Sequence, residues 1–228
     1  MDSKLIVNND KKRKAMFRLA VFLVFFILLL DQASKIWIKT HMFLGQEYRI
    51  TDWFIIHFTE NNGMAFGFEF GGEAGKMFLS IFRIVASIGI GWYLLSLIKK
   101  GAHKGLVVCF SLIFAGAVGN IIDSAFYGVI FSDDHYNLAT LFPAEGGYSS
   151  FLHGRVVDML YFPLINSYFP SWFPFVGGEP FQFFRPIFNI ADSAITVGIF
   201  LFLIFQKKFA VHHETKKEEA PAATSVQE

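Results

Sequence analysis

Carboxylates and amides stand at the ends of long apolar segments in this chain of 228 residues. Asn120 and Asp123 end one such segment, Asn189 and Asp192 begin another, and Asp158 follows Val156 and Val157. Polar groups at membrane-helix ends are costly and are treated as functional. Two carboxyl groups brought together can share one proton, because neighbouring like charges do not both ionise. The charged member can then take a proton from water while the neutral member donates to a carbonyl oxygen, which is hydrolysis without a covalent intermediate.

Other hydrolytic and cofactor chemistries lack their sequence signatures. The chain contains no H-E-x-x-H zinc pattern and no G-x-S-x-G serine elbow. None of its long apolar segments contains a His that could activate a serine, and no phosphate-binding Gly-rich loop precedes a helix. Carboxylate chemistry remains, and we predict that the protein uses neither a metal nor a cofactor.

Each polar group also has a structural interpretation. Asn120 and Asp123 share a helical face with Gly116 and Gly119, which favours close helix packing and interhelical hydrogen bonds without chemistry. We expect the apolar neighbours of Asp158 to desolvate its carboxyl group and raise its pKa, an effect that Arg155 would offset if it came near. The structural interpretation of Asp158 is a loop residue paired with Arg155.

The polar face at the start of the last apolar segment, formed by Asn189, Asp192, Ser193 and Thr196, is also consistent with helix capping or bridging. Asp31 and Lys35 are spaced to form an i,i+4 ion pair, and Asn61 begins a turn signal.

The composition indicates a membrane protein. Hydrophobic residues make up 54% of the chain and charged residues 17%, against about a quarter in ordinary soluble domains. A spanning helix needs roughly 20 apolar residues. Four segments qualify, at about 15–38, 77–98, 105–122 and 187–205, and the second contains one internal charge, Arg83. The sequence therefore predicts an all-α membrane protein with four transmembrane helices in one domain, 15–206.

The distribution of Lys and Arg orients the bundle. Basic residues cluster before the first segment, in the turn after the second and after the fourth: Lys11, Lys12, Arg13, Lys14, Lys99, Lys100, Lys104, Lys207 and Lys208. The positive-inside rule makes these regions cytoplasmic, including segment 1–14 and both termini. The connections at about 39–76 and 123–186 then face outward. A net charge of +1 gives no general field for nucleic acid, so we expect no nucleic-acid partner.

The outward connections are long and differ in character. Alternating residues near Trp53 predict strands, and hence a small extracytoplasmic β-containing region, closed by the turn signal at 61–63. The stretch 161–186 is rich in aromatic residues and proline, which predicts an interfacial loop along the outer leaflet. Residues 207–228 are predicted to be a disordered cytoplasmic tail.

Five motifs together resemble the bacterial lipoprotein signal peptidases, the signal peptidase II family. They occur in the family's order and at matching places relative to the four spans. The motifs are Asp31-Gln32-Ala33-Ser34-Lys35, Asn61-Asn62-Gly63-Met64-Ala65-Phe66, Gly119-Asn120-Ile121-Ile122-Asp123, Val156-Val157-Asp158 and Phe188-Asn189-Ile190-Ala191-Asp192-Ser193.

The resemblance implies an aspartic endopeptidase of the bacterial cytoplasmic (inner) membrane. Such an enzyme removes signal peptides from prolipoproteins before the Cys that carries a diacylglyceryl group, and is a target of globomycin. The resemblance makes Asp158 and Asp192 the catalytic pair. It makes the following residues site-supporting or substrate-binding: Asn61, Asn120, Asp123, Asn189, Asp31 and Lys35. Expected partners are lipidated prolipoproteins and membrane phospholipid, with the protein acting as a monomer.

The chain departs from the family pattern at Ser124, where many members have Arg. Arg155 is our candidate for the compensating cation. Two other functions are compatible with intramembrane carboxylates and an aromatic loop. One is a small transporter or channel that relays protons, which requires acidic groups at mid-depth and access from both sides. The other is a non-catalytic lipid-binding or assembly factor.

Overall fold

The computed structural model describes residues 3–61, 72–133, 137–183 and 186–218. Five helices are found there: α1 (Ser3–His41), α2 (Gly72–Lys99), α3 (Lys104–Ile122), the short α4 (Gly128–Ile130) and α5 (Ile190–Glu218). A π-helical turn, Asp123–Tyr127, joins α3 to α4.

Within the described part of the chain, four helical stretches are long and apolar enough to cross a membrane: Val7–His41, Ala74–Lys99, Lys104–Ile130 and Ile190–Phe209. Their outer faces carry large exposed hydrophobic side chains, such as Phe78, Trp92 and Ile204. The buried residues, by contrast, include Asp31, Lys35 and several other polar groups. This inverted distribution is the one expected of a bundle solvated by lipid, and the chain is mostly helical, as predicted.

The helix ends differ from the predicted spans at two places that matter. The last helix begins at Ile190 rather than at residue 187, because Ile187–Phe188 forms a strand instead. It also continues to Glu218, so residues 207–218 are helical rather than part of a disordered tail. Their sequence explains this, since it is rich in Lys, also contains Glu214 and Glu218, and has no Gly or Pro. Residues 219–228 lie outside the described part of the chain.

Strands from the two outer connections form one antiparallel sheet. Its order is β1 (Glu47–Thr51), β2 (Phe54–Asn61), β3 (Val156–Tyr161) and β6 (Ile187–Phe188). The predicted strand near Trp53 is present as β2, whereas the rest of the predicted turn, 62–63, lies outside the described residues. The register places Thr59 opposite Asp158 and Asn61 opposite Val156. The sheet thus brings segments almost a hundred residues apart into contact.

The aromatic stretch predicted as an interfacial loop contains a two-stranded hairpin, β4 (Ile165–Tyr168) and β5 (Pro180–Phe183). Phe162 at its base stacks on Phe54 and Phe188, with ring centroids 5.0 and 5.6 Å apart. Its tip carries Trp172, which is 78% exposed, and the fully exposed Phe175. The base of the hairpin is therefore fixed to the main sheet while its tip presents apolar surface.

Helix α3 lies at the centre of the bundle and packs against α1, α2 and α5. A Cβ added at Gly116 would collide with the carbonyl oxygen of Ala191, and one added at Gly119 would lie 2.8 Å from Asp31 Oδ2. The predicted small-residue face of α3 therefore allows α5 and α1 to approach the polar end of the bundle.

Candidate active site

Asn189 caps the last helix and connects two parts of the site. Its side-chain oxygen accepts a hydrogen bond from the Asp192 backbone N–H at 2.9 Å, and its own backbone N–H donates to Asp192 Oδ2 at 3.4 Å. This reciprocal pair is the geometry of a capping box. The Asn189 amide donates to Asp158 Oδ1 at 2.7 Å. One fully buried asparagine therefore contacts both Asp158 and Asp192.

Asp158 lies in β3 rather than in a loop, and only 3% of it is exposed. In addition to Asn189, Asn61 at the end of β2 donates from its amide to Asp158 Oδ2. Burial, and after it the nearby charge of Asp192, raise the pKa of the Asp158 carboxyl group to about 8, against the opposing effect of Lys35. The electrostatic surroundings thus favour the protonated form of Asp158 at neutral pH.

Asp192 is only partly buried and lies in the first turn of α5, where the helix dipole favours a negative charge. Asn120 of α3 donates to Asp192 Oδ1 at 2.8 Å and accepts from Asn189 at 3.1 Å. Asn120 also accepts from the Lys35 ammonium at 3.0 Å. Asn120 therefore connects the Asp158–Asp192 pair to the first helix.

Beneath this pair lies a buried ion cluster. The Lys35 ammonium is 2.9 Å from Asp31 Oδ2 and 2.8 Å from Asp123 Oδ2, and all three side chains are fully buried. Asp31 Oδ1 accepts from the backbone N–H of Ala191, and Asp123 Oδ2 accepts from that of Val157, at 2.9 and 3.3 Å. The cluster thus ties α1 and α3 to the two segments that carry Asp192 and Asp158.

Arg155 lies away from this cluster. Its guanidinium pairs with Glu60, at 3.0 Å, and with Asp133, at 3.2 Å. Arg155 is three residues from Asp158 along an extended segment, so its side chain projects toward the opposite face of β3. The neighbouring Gly154 N–H nevertheless donates to the Ser124 carbonyl oxygen at 2.9 Å, so Arg155 lies close to Ser124 along the backbone.

The structure brings eight predicted residues into one hydrogen-bonded network: Asp158, Asp192, Asn61, Asn120, Asp123, Asn189, Asp31 and Lys35. Arg155 is the predicted residue whose described ion pairs lie elsewhere. Among the residues described, no three His, Cys, Asp or Glu side chains are grouped as metal ligands would be. Lys35 lies between Asp31 and Asp123, and its ammonium pairs with both carboxyl groups.

Three residues in or beside the network were not predicted as site residues from the sequence: Gln32, Tyr127 and Arg83. Gln32 donates to Asp123 Oδ1 at 2.9 Å and accepts from the Tyr127 hydroxyl at 3.2 Å. Its position within the first motif was the available signal. Arg83 of α2 interacts electrostatically with Asp192, Asp123 and Asp158, and its signal was a lone charge within an apolar span.

Comparison with known proteins agrees with this geometry. The family model described as signal peptidase (SPase) II matches residues 23–207. A lipoprotein signal peptidase of Porphyromonas gingivalis is 56% identical over 184 residues, which cover 80% of each chain. The lipoprotein signal peptidase of Amoebophilus asiaticus is 36% identical, over 86% of this chain and 80% of its own.

Two solved structures, both described as bacterial membrane enzymes, share the fold. One has a TM-score of 0.54 at 23% identity and covers 92% of this chain and 94% of its own. The other has a TM-score of 0.52 at 28% identity and covers 82% and 90%. Because the family model extends over residues 23–207, which include the whole hydrogen-bonded network, and the P. gingivalis relative covers 80% of the chain, this protein belongs to the signal peptidase II family of lipoprotein signal peptidases.

Proposed function

We propose that this protein is an intramembrane aspartic endopeptidase with Asp158 and Asp192 as its catalytic pair. It removes signal peptides from diacylglyceryl-modified prolipoproteins and cleaves before the lipid-modified Cys. The observation that carries the proposal is Asn189, whose side-chain amide donates to the Asp158 carboxyl group and whose backbone N–H donates to the Asp192 carboxyl group, so that both lie at one end of the bundle. Family membership supports the peptidase activity and the class of substrate.

The different surroundings of the two carboxyl groups give them different roles. Asp192 acts as the general base and takes a proton from a water molecule as the water oxygen bonds to the scissile carbonyl carbon. Asp158 is protonated and donates its proton to the carbonyl oxygen, which becomes a hydroxyl group. The C–N bond then breaks as Asp192 passes its proton to the departing nitrogen and the hydroxyl returns a proton to Asp158. Both carboxyl groups end in their starting states.

The substrate's lipid requires access from the bilayer rather than from water. Exposed aromatic side chains at the tip of the β4–β5 hairpin, Trp172 and Phe175, support contact between this segment and the outer leaflet. In this arrangement the acyl chains of the substrate stay in lipid while the peptide bond reaches the carboxyl pair. The proposed setting is the inner membrane, with both termini in the cytoplasm, the site near the outer face and a monomer as the working unit. Globomycin is expected to inhibit the enzyme.

The test uses purified full-length protein in detergent with a synthetic precursor peptide, in its diacylglyceryl-modified and unmodified forms. The proposal predicts cleavage of the modified peptide only, immediately before the lipid-bearing Cys by mass spectrometry, and loss of cleavage with globomycin or in Asp192→Asn. Asp52→Asn is the matched control, because the Asp52 carboxylate is fully exposed in the outer sheet region. Cleavage by Asp192→Asn at the normal rate would overturn the proposal and favour a lipid-binding role.

A further inference from the structure

A second buried ion cluster lies behind the sheet, separate from the Asp31–Lys35–Asp123 group. Lys39 of α1 is fully buried, and its ammonium pairs with Glu60 near the end of β2. Glu60 also pairs with Arg155, and the Arg155 side chain is only 17% exposed. Three segments that are distant in sequence therefore meet at one carboxylate, and we refer to this group as the Lys39–Glu60–Arg155 cluster.

Aromatic rings enclose the two cations of this cluster. The Lys39 ammonium lies 5.1 Å from the ring centre of Tyr148, 5.5 Å from that of Phe131 and 5.9 Å from that of Phe58. The Arg155 guanidinium lies 4.3 Å over the same Tyr148 ring. Cation–π contacts partly compensate the desolvation of these charges. A buried ion group contributes little more to folding stability than apolar residues of similar volume would. We therefore expect the role of this cluster to be the fixing of one geometry.

The geometry that this cluster fixes is the end of β2. Successive side chains of a strand point to opposite faces. Phe58 and Glu60 therefore face the aromatic core, while Thr59 and Asn61 face Asp158, in agreement with the register of β2 and β3. Asn61 donates its amide hydrogen bond to Asp158 Oδ2. The position of the Asn61 amide thus depends on how its neighbour Glu60 is held.

We propose that Lys39, Glu60 and Arg155 are positioning residues that hold Asn61 against Asp158 and so orient that carboxyl group for reaction. This inference rests on the proposed function, since it gives Asp158 a catalytic role. In this proposal Arg155 does not replace the Arg that many family members have at the position of Ser124. It acts instead through Glu60 and Asn61 and does not contact the substrate.

Loss of the Asn61 hydrogen bond has a measurable signature in the pH profile. The bond favours the charged form of Asp158, so its loss raises the pKa of that carboxyl group further. The other groups acting on Asp158 are Asp192 of α5, Lys35 of α1, Arg83 of α2 and the Asn189 amide. None of them belongs to the Lys39–Glu60–Arg155 cluster, so a change in that cluster reaches Asp158 through Asn61.

The experiment is a double-variant cycle with Glu60→Gln, Asn61→Ala and the combination, using the lipidated peptide. We expect each single variant to lower kcat about tenfold with little change in KM, and the combination to be no slower than Asn61→Ala, because the two residues act as one unit. The alkaline limb of the activity profile should move to higher pH in all three variants. The inference would be overturned if the kcat losses of the two single variants multiplied in the combination. It would also be overturned if activity fell while the alkaline limb of the pH profile stayed in place.

Two further variants keep the result interpretable. Glu47→Gln removes another carboxylate of the same sheet, paired with His57 at 2.7 Å, and should keep full activity. If Glu60→Gln does not fold in detergent, Arg155→Gln, at the rim of the cluster, takes its place in the cycle with the same expected outcome. Failure of the proposed function is distinguishable, because Asp158→Asn would then remain active. An inactive Asp158→Asn with multiplying losses in the cycle would reject this inference alone.

Discussion

At the scale of single residues, the central feature is the difference between two aspartates that share one asparagine. Asp158 is buried in a strand, and Asp192 is partly buried at a helix start. Desolvation of one carboxyl group beside the charge of the other keeps a proton on Asp158 at neutral pH. The two carboxyl groups therefore differ in their surroundings, as the proposed acid–base mechanism requires.

This proton gives the first prediction, a loss of activity on the alkaline side. The pKa of Asp158 is raised to about 8, so its carboxyl group ionises as the pH rises through that value and no longer donates to the carbonyl oxygen. We expect kcat/KM to fall tenfold per pH unit above this point, because kcat/KM reports the free enzyme. Steady-state cleavage assays from pH 5 to pH 10 measure it. A profile that is flat to pH 10 would contradict the assignment of Asp158 as the acid.

The same shift affects stability with a defined sign. Between the ordinary carboxyl pKa of 3.8 and about 8, the folded state holds a proton on Asp158 that the unfolded state has released. The free energy of unfolding therefore decreases as the pH rises from 3.8 to about 8. Above this range the titration of Asp158 causes no further decrease. Asp158→Asn, which removes the titration, should make the thermal midpoint less dependent on pH in this range. An equal slope in both proteins would argue against a buried, protonated Asp158.

Lys35 provides a prediction about buried charge. Lys35→Met would leave Asp31 and Asp123 buried without their cation, and removing one partner of a buried ion group costs about 3–5 kcal/mol. Denaturant unfolding in detergent measures the loss. Lys99→Met, which removes an exposed lysine from the end of α2, is the control and should change stability by less than about 0.5 kcal/mol. Similar effects in the two variants would show that the buried cluster is not needed for folding.

At the scale of elements, the site depends on how closely α5 approaches α3. Gly116 leaves room for the Ala191 carbonyl group, and the first turn of α5 carries Asp192. Backbone atoms cannot rotate away as a side chain can. The glycine therefore determines the distance between the two helices at the level of Asp192.

Gly116→Ala should accordingly destabilise the protein by about 1–3 kcal/mol through overpacking, and lower activity by displacing Asp192. Gly89→Ala is the matched control, because it is also a helical glycine and a Cβ there meets nothing within 4 Å. The control should be neutral or stabilise by up to about 1 kcal/mol. Unfolding and cleavage assays on both variants decide the question, and equal behaviour would refute close packing at Gly116.

The elements were predictable from the sequence to different degrees. Hydropathy indicates the four apolar helices because lipid solvation imposes a simple length requirement. Hydropathy does not separate Ile187–Phe188 from the following helix, because a short apolar run is compatible with either a strand or a helix. Pairing with β3 makes these two residues a strand. Asn189 was predicted on the helix face but acts as its cap.

The residues of the site were also predictable from the sequence to different degrees. The motifs indicated the residues that meet around Asn189, but not the links that depend on tertiary contact. Lys39 lies four residues beyond Lys35, at the start of the connection predicted at about 39–76, although it is fully buried. Its partner Glu60 comes from a strand whose register the sequence did not specify. Such pairings depend on the sheet, and one sequence alone carries no signal for them.

At the scale of the whole molecule, apolar side chains face outward along the helices and polar groups meet inside. The Lys and Arg distribution supports cytoplasmic termini, and with four spans both outer connections then lie on the other side. The proposed function requires this arrangement, because the proposed lipidated substrate reaches the carboxyl pair from the outer leaflet.

Cysteine labelling tests this orientation. In a Cys109→Ser background, Ser171→Cys at the hairpin tip should react with a membrane-impermeant maleimide added to intact spheroplasts. Lys100→Cys, in the exposed turn between α2 and α3, should react only after the membrane is opened. The opposite labelling pattern would invert the topology and place the catalytic pair at the cytoplasmic face.

The most direct test of the account is the cleavage rate of Asp158→Asn, Asp192→Asn and the double variant under single-turnover conditions. If the two carboxyl groups perform one reaction together, each single variant falls to the same residual rate, at least about 10³-fold below the unmodified enzyme, and the double variant is no slower. All three should retain the thermal stability of a folded protein. A single variant that retains a tenth of the activity, or a double variant that multiplies two partial losses, would contradict a shared catalytic role for Asp158 and Asp192.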